Sequence, residues 1–143
     1  LAAAYGDVLA NGENSQYYKL FDDKGDTLRA QIATEHGQQT GNPYVSVSYT
    51  EQAGDGSPAS LATLDSGAIV TVSMNEIAHF NPQNNKDLKL TGELKALAGI
   101  ELSAQPVNAT YTFMLSFYVP GTGANQKIQL LGFTEDLTKA GQG

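Results

Sequence analysis

Apolar and polar residues alternate along much of this chain. In PYVSVSYTE, residues 43–51, Val45, Val47 and Tyr49 oppose Tyr44, Ser46 and Ser48. In GAIVTVSMNEI, 67–77, Val70, Val72 and Met74 oppose Thr71, Ser73 and Asn75. KDLKLTGELKAL, 86–97, sets Leu88, Leu90 and Leu94 against Lys89, Thr91, Glu93 and Lys95. The longest run sets Tyr111, Phe113, Leu115, Phe117 and Val119 against Thr110, Thr112, Met114, Ser116 and Tyr118. A period of two predicts a strand in each. Two earlier segments are also expected to be strands, YYKLF at 17–21 and TLRAQIATE at 27–35, the latter with Leu28, Ala30 and Ile32 on one face. DDKGD, 22–26, would turn the chain between them.

Strands with one apolar and one polar face belong to an antiparallel sheet covered on one side, or to a sandwich. Short connections favour a meander of hairpins. EQAGDGSPAS (51–60), NPQNNKD (81–87) and AQPVNA (104–109) are the breaks. Near the end, NQKIQLLGFTEDLTKA, 125–140, offers Ile128, Leu130, Leu131, Phe133, Thr134 and Leu137 to one helical stripe, with a glycine stop in TKAGQG. Gly132 weakens that helix by about 1 kcal/mol, and a continued strand over KIQLLGF competes with it. The expected fold is mainly β: an antiparallel meander sheet with one apolar face and a short C-terminal helix, in a single β-rich domain over 1–143.

Composition agrees. Of 143 residues, 41% are hydrophobic and only 16% charged, whereas long surface helices normally carry more lysine and glutamate. The absence of cysteine excludes disulfides, zinc–thiolate sites and cysteine nucleophiles. No run approaches the roughly 18 apolar residues of a membrane span. Leu1 stands where an initiator methionine would, which points to a removed or missing N-terminal segment. The net charge of −7 argues against a general nucleic-acid binder.

The chain carries little recognisable chemistry. His36 and His79 lie in separate segments without metal spacing, and read as a turn histidine and a partly buried one. DDKGD lacks the spacing of a calcium loop. No nucleophile elbow or phosphate loop is present. Glu35, Glu51, Glu76 and Glu93 could pair in space for acid–base work, which sequence does not decide. No enzyme activity, cofactor or metal is expected. Asn108 in NAT is a formal glycosylation acceptor of little weight.

Lys89 and Lys95, with Thr91 between them, line the polar face of one expected strand, and Arg29 could join them from another. A solvated face is the default. A contact surface for RNA phosphates is the sharper alternative.

Two stretches resemble the coat proteins of single-stranded RNA bacteriophages: TLRAQIATEHGQQTGNPYVSVSYTEQ, and ATYTFMLSFYVPGTGANQKIQLLGFTEDLTKAGQG at the end of the chain. The resemblance implies that a terminal helix packs on a partner subunit through Ile128, Leu131 and Leu137, and that the polar sheet face binds RNA through Arg29, Lys89, Thr91 and Lys95. The expected function is then a self-assembling coat subunit of a virion, partnered by itself and by single-stranded RNA. The alternative is an extracellular filament subunit that shares a strand with its neighbour; AYGDVLA would be the donated strand. A third reading is a small ligand-binding or carbohydrate-binding β-domain, and the lack of tryptophan argues against carbohydrate.

Overall fold

The structure, a computed structural model, describes residues 1–143. Two helices come first, α1 (Ala2–Asn11) and α2 (Thr27–Gln38), separated by short 3-10 turns at Gly12–Asn14 and Tyr18–Leu20. Strands β1 (Val45–Ala53), β2 (Ala59–Ala62) and β3 (Ala68–Pro82) follow. The pair β4 (Leu88–Lys89) and β5 (Leu102–Ser103) brackets a third helix, α3 (Gly92–Ala98). The chain ends in β6 (Val107–Val119) and β7 (Gln129–Gln142).

The main sheet is antiparallel, in the order β1-β3-β6-β7, and β2 pairs with the first part of β3. The alternating runs at 43–51, 67–77 and 110–119 form strands as expected, and the structure carries them on to Ala53, to Pro82 and back to Val107; the mainly-β, one-faced sheet is what the structure has. The helices cover the apolar face. The opposite face is open and bonds to itself: Thr112 donates to Asn75 at 2.9 Å, and His79 lies 2.8 Å from Asn108 and 3.1 Å from Thr50. No helix is long and apolar enough to cross a membrane.

The core lies between the helices and the sheet. Tyr5 and Val8 of α1, Phe21, and Leu28 and Ile32 of α2 pack on Val72, Met74, Phe113, Leu115 and Phe117. All are buried, and each large side chain contributes roughly 1.5–3 kcal/mol. The Tyr5 ring meets Phe21 and, edge-on, Phe117 at centroid distances of 5.2 and 5.0 Å. Its hydroxyl donates to both carboxylate oxygens of Asp26, at 2.8 and 2.9 Å. Asp26 caps α2 by accepting from the Arg29 backbone N–H. A single side chain therefore ties α1 to the start of α2. Gly6 lets α1 cross close to the sheet: a β-carbon there would stand 3.1 Å from that of Glu51.

Five expectations about local structure are overturned. TLRAQIATE is helix α2, not a strand. Leu28 and Ile32 share a face at a spacing of two turns of alternation or one turn of helix, and the Asp26 cap decides for the helix. AYGDVLA is part of α1, and YYKLF is a 3-10 turn ending in Phe21. In KDLKLTGELKAL only Leu88–Lys89 is strand; Leu90, Leu94 and Ala98, four apart, close a second small core with Leu88, Val107 and Ile100. The helix expected over 125–140 is strand β7; the short helix of the C-terminal half is α3 instead.

The cause of the last error is visible in the register. Phe117 pairs with Leu130 but Ser116 pairs with Gly132, so Leu131 bulges; Tyr111 pairs with Leu137 but Thr110 with Lys139, so Thr138 bulges. The first bulge puts Leu130 and Phe133 on one face at a spacing of three, and Leu137 follows four residues on. That spacing imitates a helix.

Candidate functional site

At the C-terminal end of α2 the apolar stripe Leu28, Ile32 continues one helical turn to His36, which faces the sheet like its predecessors. Its ring stacks on Tyr49 of β1, with centroids 3.6 Å apart and planes 15° from parallel. Its Nε2 lies 3.0 Å from Oε2 of Glu76 on β3.

The register of the sheet then assembles a carboxylate group. Glu51 of β1 is directly opposite Glu76, and Glu76 is opposite Tyr111 of β6. One rung along, Glu135 of β7 is opposite Phe113. From above, Glu35 of α2 closes the group. The Gln31 side-chain amide donates to both Glu35 and Glu135, at 2.9 Å each. His36, Glu51 and Glu76 offer ligand atoms that all lie within 4.8 Å of one another. Glu35, Tyr49, Glu76, Tyr111 and Glu135 line a cleft of about 270 Å³ whose lining includes no lysine or arginine.

Burial decides the electrostatics. Glu76 is 3% exposed, and burial, then the charges of Glu35 and Glu135, pushes its carboxyl up to about 7. Glu51 is raised by burial and by Glu76, and Glu135 by burial and Glu35. Burial lowers His36 despite the nearby Glu51 and Glu35. Burial also raises Tyr111, and pushes Tyr49 up to about 12. The His36–Glu76 contact therefore joins two groups that both favour their neutral forms; it is a hydrogen bond more than an ion pair. Imidazole and carboxylates form a donor set that suits transition-metal ions. They suit the N–H groups of an organic cation equally.

The residues proposed to bind RNA do not converge. Arg29 lies on α2, enclosed over the Tyr18 ring with its Nε 3.2 Å from the Asp26 carboxylate. Lys89 is on β4, Thr91 precedes α3, and Lys95 on α3 is paired with Glu101 at 2.7 Å. The expected helical stripe also separates. Ile128 forms a parallel bridge to Phe21, Leu137 is half-buried opposite Tyr111, and only Leu131, at its bulge, is exposed.

Of the carboxylates singled out in the sequence, Glu35, Glu51 and Glu76 converge. Glu93, on α3, lies near enough to Tyr111 to influence its titration. Glu135 and His36 were missed. The signal for two of the group was legible in the alternation: Glu51 continues the face of Val45, Val47 and Tyr49, and Glu76 that of Val72 and Met74. A carboxylate on the covered face of a strand is costly unless something compensates it.

No family model matches the chain, and comparison with curated proteins and with solved structures found no match.

Proposed function

We propose that the protein is a ligand-binding domain that takes a small positively charged ligand in the cleft between α2 and the sheet. One observation carries this reading: Glu51 faces Glu76 across the β1/β3 ladder, with Glu35 and Glu135 beside them and no lysine or arginine in the cleft lining. Like charges directly opposite in a ladder destabilise it. Below a pH of about 7 a proton on Glu76 relieves the repulsion; above it a bound cation would. Binding is favoured over turnover because the one hydrogen bond of the His36 side chain is to Glu76, so no hydroxyl is held against it as a nucleophile.

The test is a thermal-melt and calorimetric panel at pH 8, with methylammonium, guanidinium, Mn²⁺ and Zn²⁺, on the natural chain and on Glu76→Gln. The reading expects at least one cation to raise Tm in the natural chain and not in the variant. A panel in which no cation changes Tm contradicts it.

Assembly by strand sharing is a second reading, favoured by the position of β7 at the edge of the sheet. The edge is partly blunted. Phe21 bridges Ile128 at its start, Leu131 and Thr138 bulge, and Asp136 and Lys139 place charges along it. Only its middle is free to accept a strand. A coat subunit that also binds RNA would need a surface other than the lysine row, which the fold disperses. Light scattering at high protein concentration tests this reading: a stable monomer counts against assembly through β7.

A further inference from the structure

We infer that the cation is amphipathic: an amine or comparable organic cation carrying an apolar arm. The inference rests on the cation-binding reading above and adds a second, separate cavity to it. Beside the carboxylate cleft lies an apolar cavity of about 190 Å³, walled by Val45, Leu88, Leu90, Leu94 and Val107. The two cavities share Phe80 and Gln39 in their linings, so they adjoin. The walls are built by the β4–α3–β5 excursion between β3 and β6, whose Leu88 and Leu90 are buried along with Val107.

A bare metal ion would use only the carboxylate end. A molecule with a charged head and an apolar tail uses both, passing over Phe80. Direction is set as well. Lys89 lines the apolar cavity and repels a cationic head from that end, while Glu35, Glu76 and Glu135 attract it to the other. Sites of this kind, mostly apolar with a few convergent polar groups, are the usual form of small-molecule pockets.

The experiment is a calorimetric series on the natural chain at pH 8, with methyl-, propyl-, hexyl- and octylammonium, alongside Mn²⁺, Zn²⁺ and 1-hexanol. The inference expects affinity to rise by roughly fourfold per methylene until the apolar cavity is full, with 1-hexanol far weaker than hexylammonium. In Leu94→Gln, on the rim of the cavity, the dependence on chain length should flatten while methylammonium binds as before. Circular dichroism establishes that the variant is folded. If ammonium ions bind with no dependence on chain length, or if only metal ions bind, the apolar-arm inference is overturned and the cation reading stands. If 1-hexanol binds as well as hexylammonium, the charged head is irrelevant and the inference fails. If nothing binds, both fail.

Discussion

Glu51 and Glu76 are cross-strand partners on the covered face of an antiparallel sheet. Two carboxylates in that relationship, one of them almost fully buried, put electrostatic strain beside the cleft. Its consequences are measurable without knowing the ligand.

The first is the pH dependence of stability. The carboxyl of Glu76 is raised from 4.5 to about 7 in the folded protein. A group whose folded pKa is raised stabilises the fold below its unfolded pKa, and that contribution is lost as pH rises through the folded value. The window for Glu76 is therefore pH 4.5 to 7. Glu51 and Glu135 act in the same direction. His36 acts oppositely: its pKa is lowered, so its contribution is present above about 6.5 and is lost as pH falls. Comparison with Glu76→Gln isolates one group. The variant should match the natural chain near pH 4 and exceed it by roughly 2–3 kcal/mol at pH 8, read from urea unfolding at both values. Equal stability at pH 8 would show that Glu76 is not strained.

Tyr5→Phe tests the tie between the helices. It removes the hydroxyl that serves the buried Asp26 carboxylate and leaves the ring packing intact. A loss of about 1–3 kcal/mol is expected, with cation affinity unchanged because the tie lies outside the cleft lining. A loss below about 0.5 kcal/mol would mean that water replaces the hydroxyl.

How much of this could be read from the sequence follows from which periodicities are unambiguous. Strands β1, β3 and β6 were legible because their alternation is long and unbroken. Helix α2 was not, because Leu28 and Ile32, with Ala30 between them, suit either period; the Asp26 cap was the clue passed over. Strand β7 was disguised by the bulge at Leu131. Part of the carboxylate group is within reach of the sequence: Glu35, Glu51 and Glu76 stand out there, but their meeting depends on the β1/β3 register and on α2 being a helix, neither of which composition reveals. With α2 read as a strand, His36 fell in a turn and lost its place on the stripe of Leu28 and Ile32.

Leu131→Asp separates the fold from assembly. Leu131 is 54% exposed at its bulge, so the change should cost within about 0.5 kcal/mol of stability. If the chain associates through the edge of β7, the same change should shift light scattering toward monomer. A large loss of stability would mean that the bulge is packed in solution.

The most direct measurement is the affinity of propylammonium as a function of pH, by calorimetry between pH 6 and pH 8. The carboxyl of Glu76, at about 7 in the unliganded protein, must give up its proton to receive the cation. The account predicts that affinity rises about tenfold across this interval and that the rise disappears in Glu76→Gln. Absence of binding at pH 8, or binding that is unchanged by pH in the natural chain, would contradict it.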